Sequence, residues 1–288
     1  MNEKIASLQK EQKNLQMFGT GYLICLIVCM FLGFASPMAS AVLAAVMVLV
    51  YIFVIRSWIK KYRQDVKTAM IEESFRPHFK QIVYSPKDGV PSETITGSGF
   101  LPVAHDKTLV IRDSIQGTYQ AQQALLTDYS GDFIAGTGEK KNGSRDSYNF
   151  LSGCYFDLKL SKDPGLDCVI WPENSVPASV LDRQYPDMTP SCLKASGKSD
   201  HEFRVYLPAD CETRSIPENF LNAIVRLAEY TPGETAVQVC GGHLRIFIRN
   251  RFLYPMKLKV QAPITAQLLT SIPFPEIHYI LRVADTLL

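Results

Sequence analysis

Hydrophobic and polar positions change rhythm three times along the 288-residue chain, and each rhythm predicts a different kind of element. Residues 2–16 (NEKIASLQKEQKNLQ) are mostly polar, with Ile5, Leu8 and Leu15 at heptad-like spacing. That predicts a helix with one narrow apolar stripe, suited to pairing between protomers or to packing on residues 57–75. Residues 17–35 (MFGTGYLICLIVCMFLGFA) and 39–55 (ASAVLAAVMVLVYIFVI) then carry no charge. At ~1.5 Å per residue the first run spans ~28 Å as a helix, close to the ~30 Å hydrocarbon core of a bilayer. Ser36-Pro37-Met38 breaks the helix between them, and so short a link forces an antiparallel hairpin. From residue 57 to 75 the apolar positions Trp58, Tyr62, Val66, Ala69 and Met70 resume a helical period, which Pro77 ends. The second span is therefore expected to run on into a basic, amphipathic stalk.

Beyond the stalk the period shortens to that of strands. Residues 108–111 and 117–127 read as strands with turn punctuation at Asp113 and Gly117. Residues 132–135 and 148–160 form the arms of a long hairpin around a polar loop, and Cys168-Val-Ile-Trp171 is a short buried strand closed by Pro172. Residues 174–200, rich in Pro, Ser and Asp, read as an irregular excursion. Phe203 to Leu207 alternates as a strand. Ser215-Ile-Pro-Glu218 caps a helix that runs to Tyr230, with Leu221, Ile224, Val225 and Leu227 on its buried face. Residues 236–240 and 243–249 flank Gly241-Gly242, a two-residue hairpin signal. Ile277, Ile280, Leu281, Ala284 and Leu288 share one face of a C-terminal helix. Strand runs separated by only one or two helices predict an α+β fold with a largely antiparallel sheet.

Charge gives the hairpin an orientation. Its link holds no Lys or Arg, whereas Lys4, Lys10 and Lys13 precede the first span and Arg56, Lys60, Lys61, Arg63 and Lys67 follow the second. Positive flanks stay in the cytoplasm, so both termini are expected inside, with Trp58 and Tyr62 in the interfacial aromatic belt. Ala39-Ser40-Ala41 resembles a signal-cleavage site, but the preceding segment is long, carries Glu3 and Glu11, and its apolar run exceeds the usual length. A buried core hairpin would not need two such long charge-free runs. The net charge of +2 does not suggest a nucleic-acid partner. Seven cysteines without a CxxC pair match no zinc or disulfide framework and suit a reducing compartment.

Candidate chemistry is sparse. Gly136 to Ser144 has glycines at phosphate-loop spacing, but Ser144 stands where the lysine belongs and a strand follows, so a hairpin loop is the expectation. Thr96-Gly-Ser-Gly99 lacks the glycine spacing of a nucleophile elbow, which makes Ser98 a turn residue. Cys154, His201 and Asp210 are the only nucleophile, base and orienting acid that the sequence offers as a triad. His78, His105, His201, His243 and His278 show no metal-ligand spacing, and the Asn142-Gly-Ser144 sequon would go unused in a cytoplasmic loop. No catalytic, cofactor-binding or metal-ligating residue is assigned. The one positive assignment is contact of Arg56, Lys60, Lys61, Arg63 and Lys67 with anionic lipid headgroups, at ~1 kcal/mol each, although fixing topology alone explains them as well.

Three segments carry a resemblance: Asp113-Ser-Ile-Gln-Gly-Thr-Tyr119; Phe150-Leu-Ser-Gly-Cys-Tyr-Phe-Asp157 leading to Val169-Ile-Trp-Pro172; and His201-Glu-Phe-Arg-Val-Tyr-Leu-Pro-Ala-Asp210 followed by Glu212-Thr-Arg-Ser-Ile-Pro217. Over roughly residues 75–255, with two preceding transmembrane helices, the chain resembles the bacterial membrane-anchored family catalogued as domain of unknown function 3137. The resemblance implies a membrane-tethered cytoplasmic domain and assigns no activity or catalytic residue.

The organisation expected is a cytoplasmic helix at 1–16, a transmembrane hairpin at 17–56, a stalk at 57–76 and a cytoplasmic α+β domain at 77–288. Its expected place is the bacterial inner membrane, as a non-enzymatic binding or scaffolding module. The alternatives are a membrane-tethered enzyme acting on a lipid or small molecule, or a subunit of a larger membrane complex. The bilayer, anionic headgroups, a protein partner and a second copy of the chain are the partners this reading admits.

Overall fold

The computed structural model describes residues 2–86, 90–103, 109–140, 143–173, 175–195, 201–211, 216–231, 234–253, 263–271 and 273–288; side chains 35, 135–140, 143–148 and 195 are not described. Its contacts divide the chain into a helical unit, residues 1–77 with 256–272, and a sheet unit, residues 78–255 with 273–288. Residues 263–271 belong to the helical unit, although nothing in their composition sets them apart from their neighbours in sequence.

In the helical unit, the polar segment and the first apolar run form one helix, α1 (Asn2–Ala35). Ser36 is extended and Pro37 opens α2 (Pro37–Val50), a position that tolerates its missing N–H. A π-helical turn, Tyr51–Ile55, carries the chain without a break into α3 (Arg56–Phe75), which stops just before Pro77. The hydroxyl of Tyr22 donates to Met47 O at 3.2 Å and that of Ser40 to Cys29 O at 3.0 Å, tying the hairpin together. Both helices are long and apolar enough to cross a membrane. Their large side chains are uncovered: Phe34 is 90% exposed, Met38 81% and Phe53 71%.

The polar end of α1 packs on α3. Leu8, Gln12 and Leu15 are buried on one helix, Tyr62, Val66, Ala69 and Met70 on the other, and Lys4 Nζ lies 2.5 Å from Glu72. Of the two roles open to the apolar stripe of residues 2–16, the structure shows packing on the stalk. Tyr62 consequently does not sit in an interfacial belt: it is only 3% exposed, on the α3 face that gives α1 its partner. A short helix, α7 (Ala266–Thr270), capped by the Thr265 hydroxyl, also packs on α3, and Gln9 Nε2 donates to Ile264 O at 2.8 Å.

Among its described residues the sheet unit contains nine strands: β1 (Lys80–Ser85), β2 (Val110–Tyr119), β3 (Gln122–Lys140), β4 (Gly143–Lys159), β5 (Cys168–Pro172), β6 (Met188–Ala195), β7 (His201–Pro208), β8 (Thr235–Cys240) and β9 (His243–Arg249). They form one sheet in the order β1-β2-β3-β4-β9-β8-β5-β7-β6, with every pairing antiparallel. The α+β fold expected from the sequence is present. Helices α4 (Ser92–Thr96), α5 (Ala178–Gln184), α6 (Glu218–Tyr230) and α8 (Ile277–Asp285) complete the unit. Gly241 and Gly242, both at positive φ, make the β8–β9 turn, as their side-chain-free backbone permits. The α8 face is buried as expected from Ile277 to Ala284, while Leu288 is exposed.

Three local expectations are corrected. The β2–β3 turn falls at Gln120-Ala121, both at positive φ, and not at Asp113 or Gly117. Asp113 marks a bulge inside β2, where the pairing register shifts between Arg112 and Ile115. The polar stretch expected as a loop between 135 and 148 continues β3 and β4 as paired strands, out to Lys140 opposite Gly143. The excursion of 174–200 contains α5 and the edge strand β6, and an edge position accepts Pro190 because one side of the strand needs no N–H donor. Ser215, expected as the cap of α6, lies outside the described residues, and Pro217 precedes the helix.

Both faces of the central strands are covered. On one face Tyr129, Tyr155, Phe247, Val169, Trp171 and Tyr206 pack with Ile95 and Phe100 and with Val180 and Leu181 of α5. Trp171 Nε1 donates there to Tyr185 Oη at 3.2 Å, and Tyr185 Oη donates to Phe100 O at 2.5 Å, whereas the buried Tyr129 hydroxyl has no hydrogen-bond partner among the described residues. The opposite-parity residues Cys154, Phe156, Val237, Val239, Ile246 and Ile248 are equally buried, and α6, packed on β8 and on α8, contributes Phe220, Ile224 and Leu227.

Two predictions follow from this packing. A Cβ on Gly153 would stand 2.1 Å from Ile248 O across the β4–β9 pair, so Gly153→Ala must force the two backbones apart. We expect a loss of at least ~1–3 kcal/mol in denaturant unfolding of the detergent-solubilised chain. Burial raises the hydroxyls of Tyr129, Tyr155 and Tyr185 far above the usual tyrosine range, and burial with an Asp285 hydrogen bond pushes Tyr119 up to about 12. Unfolded tyrosines ionise near pH ~10 and folded ones do not, so the unfolded state loses protons that the native state keeps. Stability is thus unaffected by these groups below pH ~10 and falls above it, by up to ~1.4 kcal/mol per pH unit for each, which a series of unfolding midpoints between pH ~8 and ~11 will read.

Candidate functional site

The cations assigned from sequence lie on α3 immediately beyond the apolar span. Arg56, Lys60, Arg63 and Lys67 recur at intervals of four, three and four, which places them on one helical face, and Lys61 lies off it. Arg56, Lys60, Lys61 and Arg63 are exposed; Lys67 is half-buried and engaged in an interaction. Beside this row a groove of about 750 Å³ opens between α1 and α3. Leu15, Leu23, Ile55 and Ile59 line it, Phe18 and Trp58 meet edge to face at 5.2 Å, and Arg63 stands among them. Apolar walls beside a guanidinium can take an acyl chain and its phosphate together. The row is legible in the sequence as a helical spacing of cations; the groove is not, because its two walls are some forty residues apart.

The strongest convergence of polar groups in the sheet unit was not picked out by sequence reasoning. Asp157 on β4 stands opposite Arg245 on β9, which stands opposite Gln238 on β8. Asp157 Oδ1 is 2.7 Å from His243 Nδ1, Arg245 Nε donates to Asp157 Oδ2 at 3.3 Å, and Arg245 Nη1 donates to Gln238 Oε1 at 2.8 Å. The Tyr155 hydroxyl also donates to Asp157 Oδ2, at 3.3 Å. Arg245 and Asp157 are 12% and 11% exposed, so the network is largely withdrawn from water. Its signal was present as polar residues at period two, His243 and Arg245 or Gln238 and Cys240, inside otherwise apolar strands.

Cys240 pairs with His243 across the Gly-Gly turn, so a cysteine, a histidine and an aspartate share one corner of the sheet. The thiol is not activated there. Burial raises it, the charge of Asp167 raises it further, and a hydrogen bond to Asp167 keeps its proton in place. A nucleophilic cysteine needs the reverse, a cationic setting that favours thiolate. Asp157 instead acts as a clamp, joining β4 to β9 through two basic side chains.

The triad offered by the sequence is not assembled. Cys154 on β4 and His201 on β7 are separated by β9, β8 and β5, four strand spacings or ~19 Å. Cys154 is fully buried with its thiol raised well above its ordinary range, chiefly by burial, and Asp210 lies in an exposed turn after β7. Ser98 is a turn residue as expected: its hydroxyl donates to Ile95 O at 2.6 Å and accepts from Phe100 N at 3.2 Å. Gly136 to Ser144 runs in the β3–β4 ribbon with no helix behind it; Lys141 and Asn142, and with Asn142 the sequon, lie outside the described residues. His78 and His278 meet edge to face at 4.7 Å, and His105 lies outside the described residues. Among the described residues no three His, Cys, Asp or Glu side chains are grouped to hold a metal ion. Comparison with known family models, with curated proteins and with solved structures returns no match.

The clamp makes a prediction. Asp157→Ala leaves Arg245 withdrawn from water without its carboxylate and should cost ~3 kcal/mol in unfolding stability. Adding Arg245→Met to that variant should recover part of the loss in a double-mutant cycle, whereas independent contributions would simply add.

Proposed function

We propose that the chain is a membrane-anchored binding module of the bacterial inner membrane, with both termini and the sheet unit on the cytoplasmic side. The observation that carries this reading is the uncovered apolar surface of residues 17–54. Phe31, Phe34, Met38 and Phe53 are exposed on a stretch, residues 17–55, that carries no charge, a surface that water disfavours and a bilayer's hydrocarbon accepts. Orientation rests on the charge-free Ser36-Pro37-Met38 link set against Lys4, Lys10 and Lys13 on one flank and the Arg56–Lys67 row on the other.

Retention of the first helix is supported by what its cytoplasmic end does. Cleavage after Ala41 would remove Leu8 and Leu15 from the face of Tyr62, Val66 and Met70 and would break the Lys4–Glu72 pair. The row Arg56, Lys60, Arg63 and Lys67, next to the Phe18–Trp58 groove, is suited to anionic headgroups at the level where the span ends. Binding rather than catalysis is favoured in the sheet unit because its convergent polar groups, Asp157, His243, Arg245 and Gln238, hydrogen-bond to one another. The resemblance to domain of unknown function 3137 implies the same tethered arrangement.

Thiol accessibility tests the arrangement. Cys192 and Cys211 are exposed on the sheet unit, whereas Cys154 and Cys168 are buried. A membrane-impermeant maleimide should label Cys192 and Cys211 in inverted inner-membrane vesicles and leave them unlabelled in intact spheroplasts. Labelling of either from the outer face would overturn the orientation, and recovery of the chain in the soluble fraction would overturn the anchor.

A further inference from the structure

A second groove, in the sheet unit, has the chemistry of an anion site. The stacked rings of Tyr230 and Tyr279, with centroids 4.1 Å apart and planes at 22°, set the register of α6 against α8. One turn from the stack along each helix, Arg226 and Arg282 line the same groove of about 360 Å³. Asn219 and Asn222 extend it along α6, and no carboxylate lines it. Thr286 forms part of the wall, its hydroxyl already donating to Val283 O at 2.7 Å.

Arg226 and Arg282 are exposed, so water screens their mutual repulsion, but two guanidinium groups lining one groove still give it a positive potential that an anion would relieve. Four other arginines of this unit are paired internally: Arg204 with Glu173, Arg245 with Asp157, Arg249 with Glu234 and Arg251 with Glu276, while Arg112 and Arg183 stand exposed on separate elements. Arg226 and Arg282 have no ion pair among the described residues. Arg282 is held with its guanidinium carbon 5.5 Å over the Tyr279 ring, a contact that uses the face of the group and leaves its N–H fork available. Two forks and two side-chain amides, all able to donate, match the oxygens of a phosphate better than those of a single carboxylate. The size fits a phosphate with a small substituent, near the lower end of small-molecule sites.

We propose that the α6–α8 groove binds a phosphate monoester through Arg226 and Arg282, with Asn219 and Asn222 as supporting donors. The chemistry is the same for a soluble phosphorylated metabolite and for a lipid carrying a terminal phosphate, and the site stands independently of the membrane reading.

Calorimetric titration of the full chain in a non-ionic detergent tests it with two probes, inorganic phosphate and a short-chain phosphatidic acid. Saturable binding is expected, weakened about tenfold by Arg226→Gln or Arg282→Gln and lost in the double variant. Arg112→Gln, which removes a charge from the distant strand β2, should leave it unchanged. Equal binding of both probes points to a soluble phosphate ligand, and binding of the phosphatidic acid alone points to a headgroup; either supports the site. Absence of saturable binding of both probes, or binding that survives the double substitution, would overturn the proposal. Unchanged unfolding midpoints of the variants would show that lost binding is not lost folding.

Discussion

A sheet whose middle strands are covered on both faces leaves this unit very little freedom. β4, β9, β8 and β5 send alternate side chains into two separate packed layers, so neither parity can be polar along most of their length. That requirement explains the nearly unbroken apolar runs of these strands. It also explains why the backbones at Gly153 and Ile248 can approach so closely. The aromatic layer on one face adds a further demand: large rings bring hydroxyl and indole groups with them, and burial penalises those left without partners. Trp171, Tyr185 and the carbonyl of Phe100 meet it as a chain of hydrogen bonds.

Where the apolar layer stops, charge enters under the same rule. Asp157 is withdrawn from water together with the groups that neutralise it, and its two oxygens reach His243, Arg245 and Tyr155. The result joins adjacent strands as a structural lock, and the nearby Cys240 thiol, raised by burial and by Asp167, is not activated by it. The α6–α8 groove is the contrasting case. Its two arginines line one groove with no carboxylate among the described lining residues, so their positive charge is left open to an anion from outside the chain.

The helical unit answers a different solvent. Most of its large apolar side chains are exposed along residues 17–54, where Cys29 and Met47 are buried, and its more extensive buried surface lies at the polar end, where Leu8 and Leu15 meet Val66 and Met70. In water that arrangement is inside out. In lipid it is ordinary, since helix–helix contact within a bilayer gains little from hiding apolar side chains. The cations of α3 begin at Arg56, immediately beyond the last apolar residue, so one continuous helix joins an apolar stretch to a charged one.

Features set by local composition were legible in the sequence. The paired apolar runs, the break at Pro37, the stop at Pro77, the Gly241-Gly242 turn and the amphipathic α6 and α8 each follow from residues close together in the chain. The antiparallel α+β class followed from the spacing of strands. Features set by long-range pairing were not legible. Residues 136–140 and 143–147 look like a loop until a partner strand supplies their hydrogen bonds, and 188–195 look irregular until β7 pairs with them. Tyr62 reads as an interfacial aromatic until α1 folds back beside it. The sites divide in the same way. A row of cations on one helix is a property of spacing, whereas Asp157 bonded to His243, and Arg226 and Arg282 lining one groove, bring together residues 86 and 56 positions apart. Only strand order and helix register bring such groups together, because the energies that select them belong to pairs of segments and to neither segment alone.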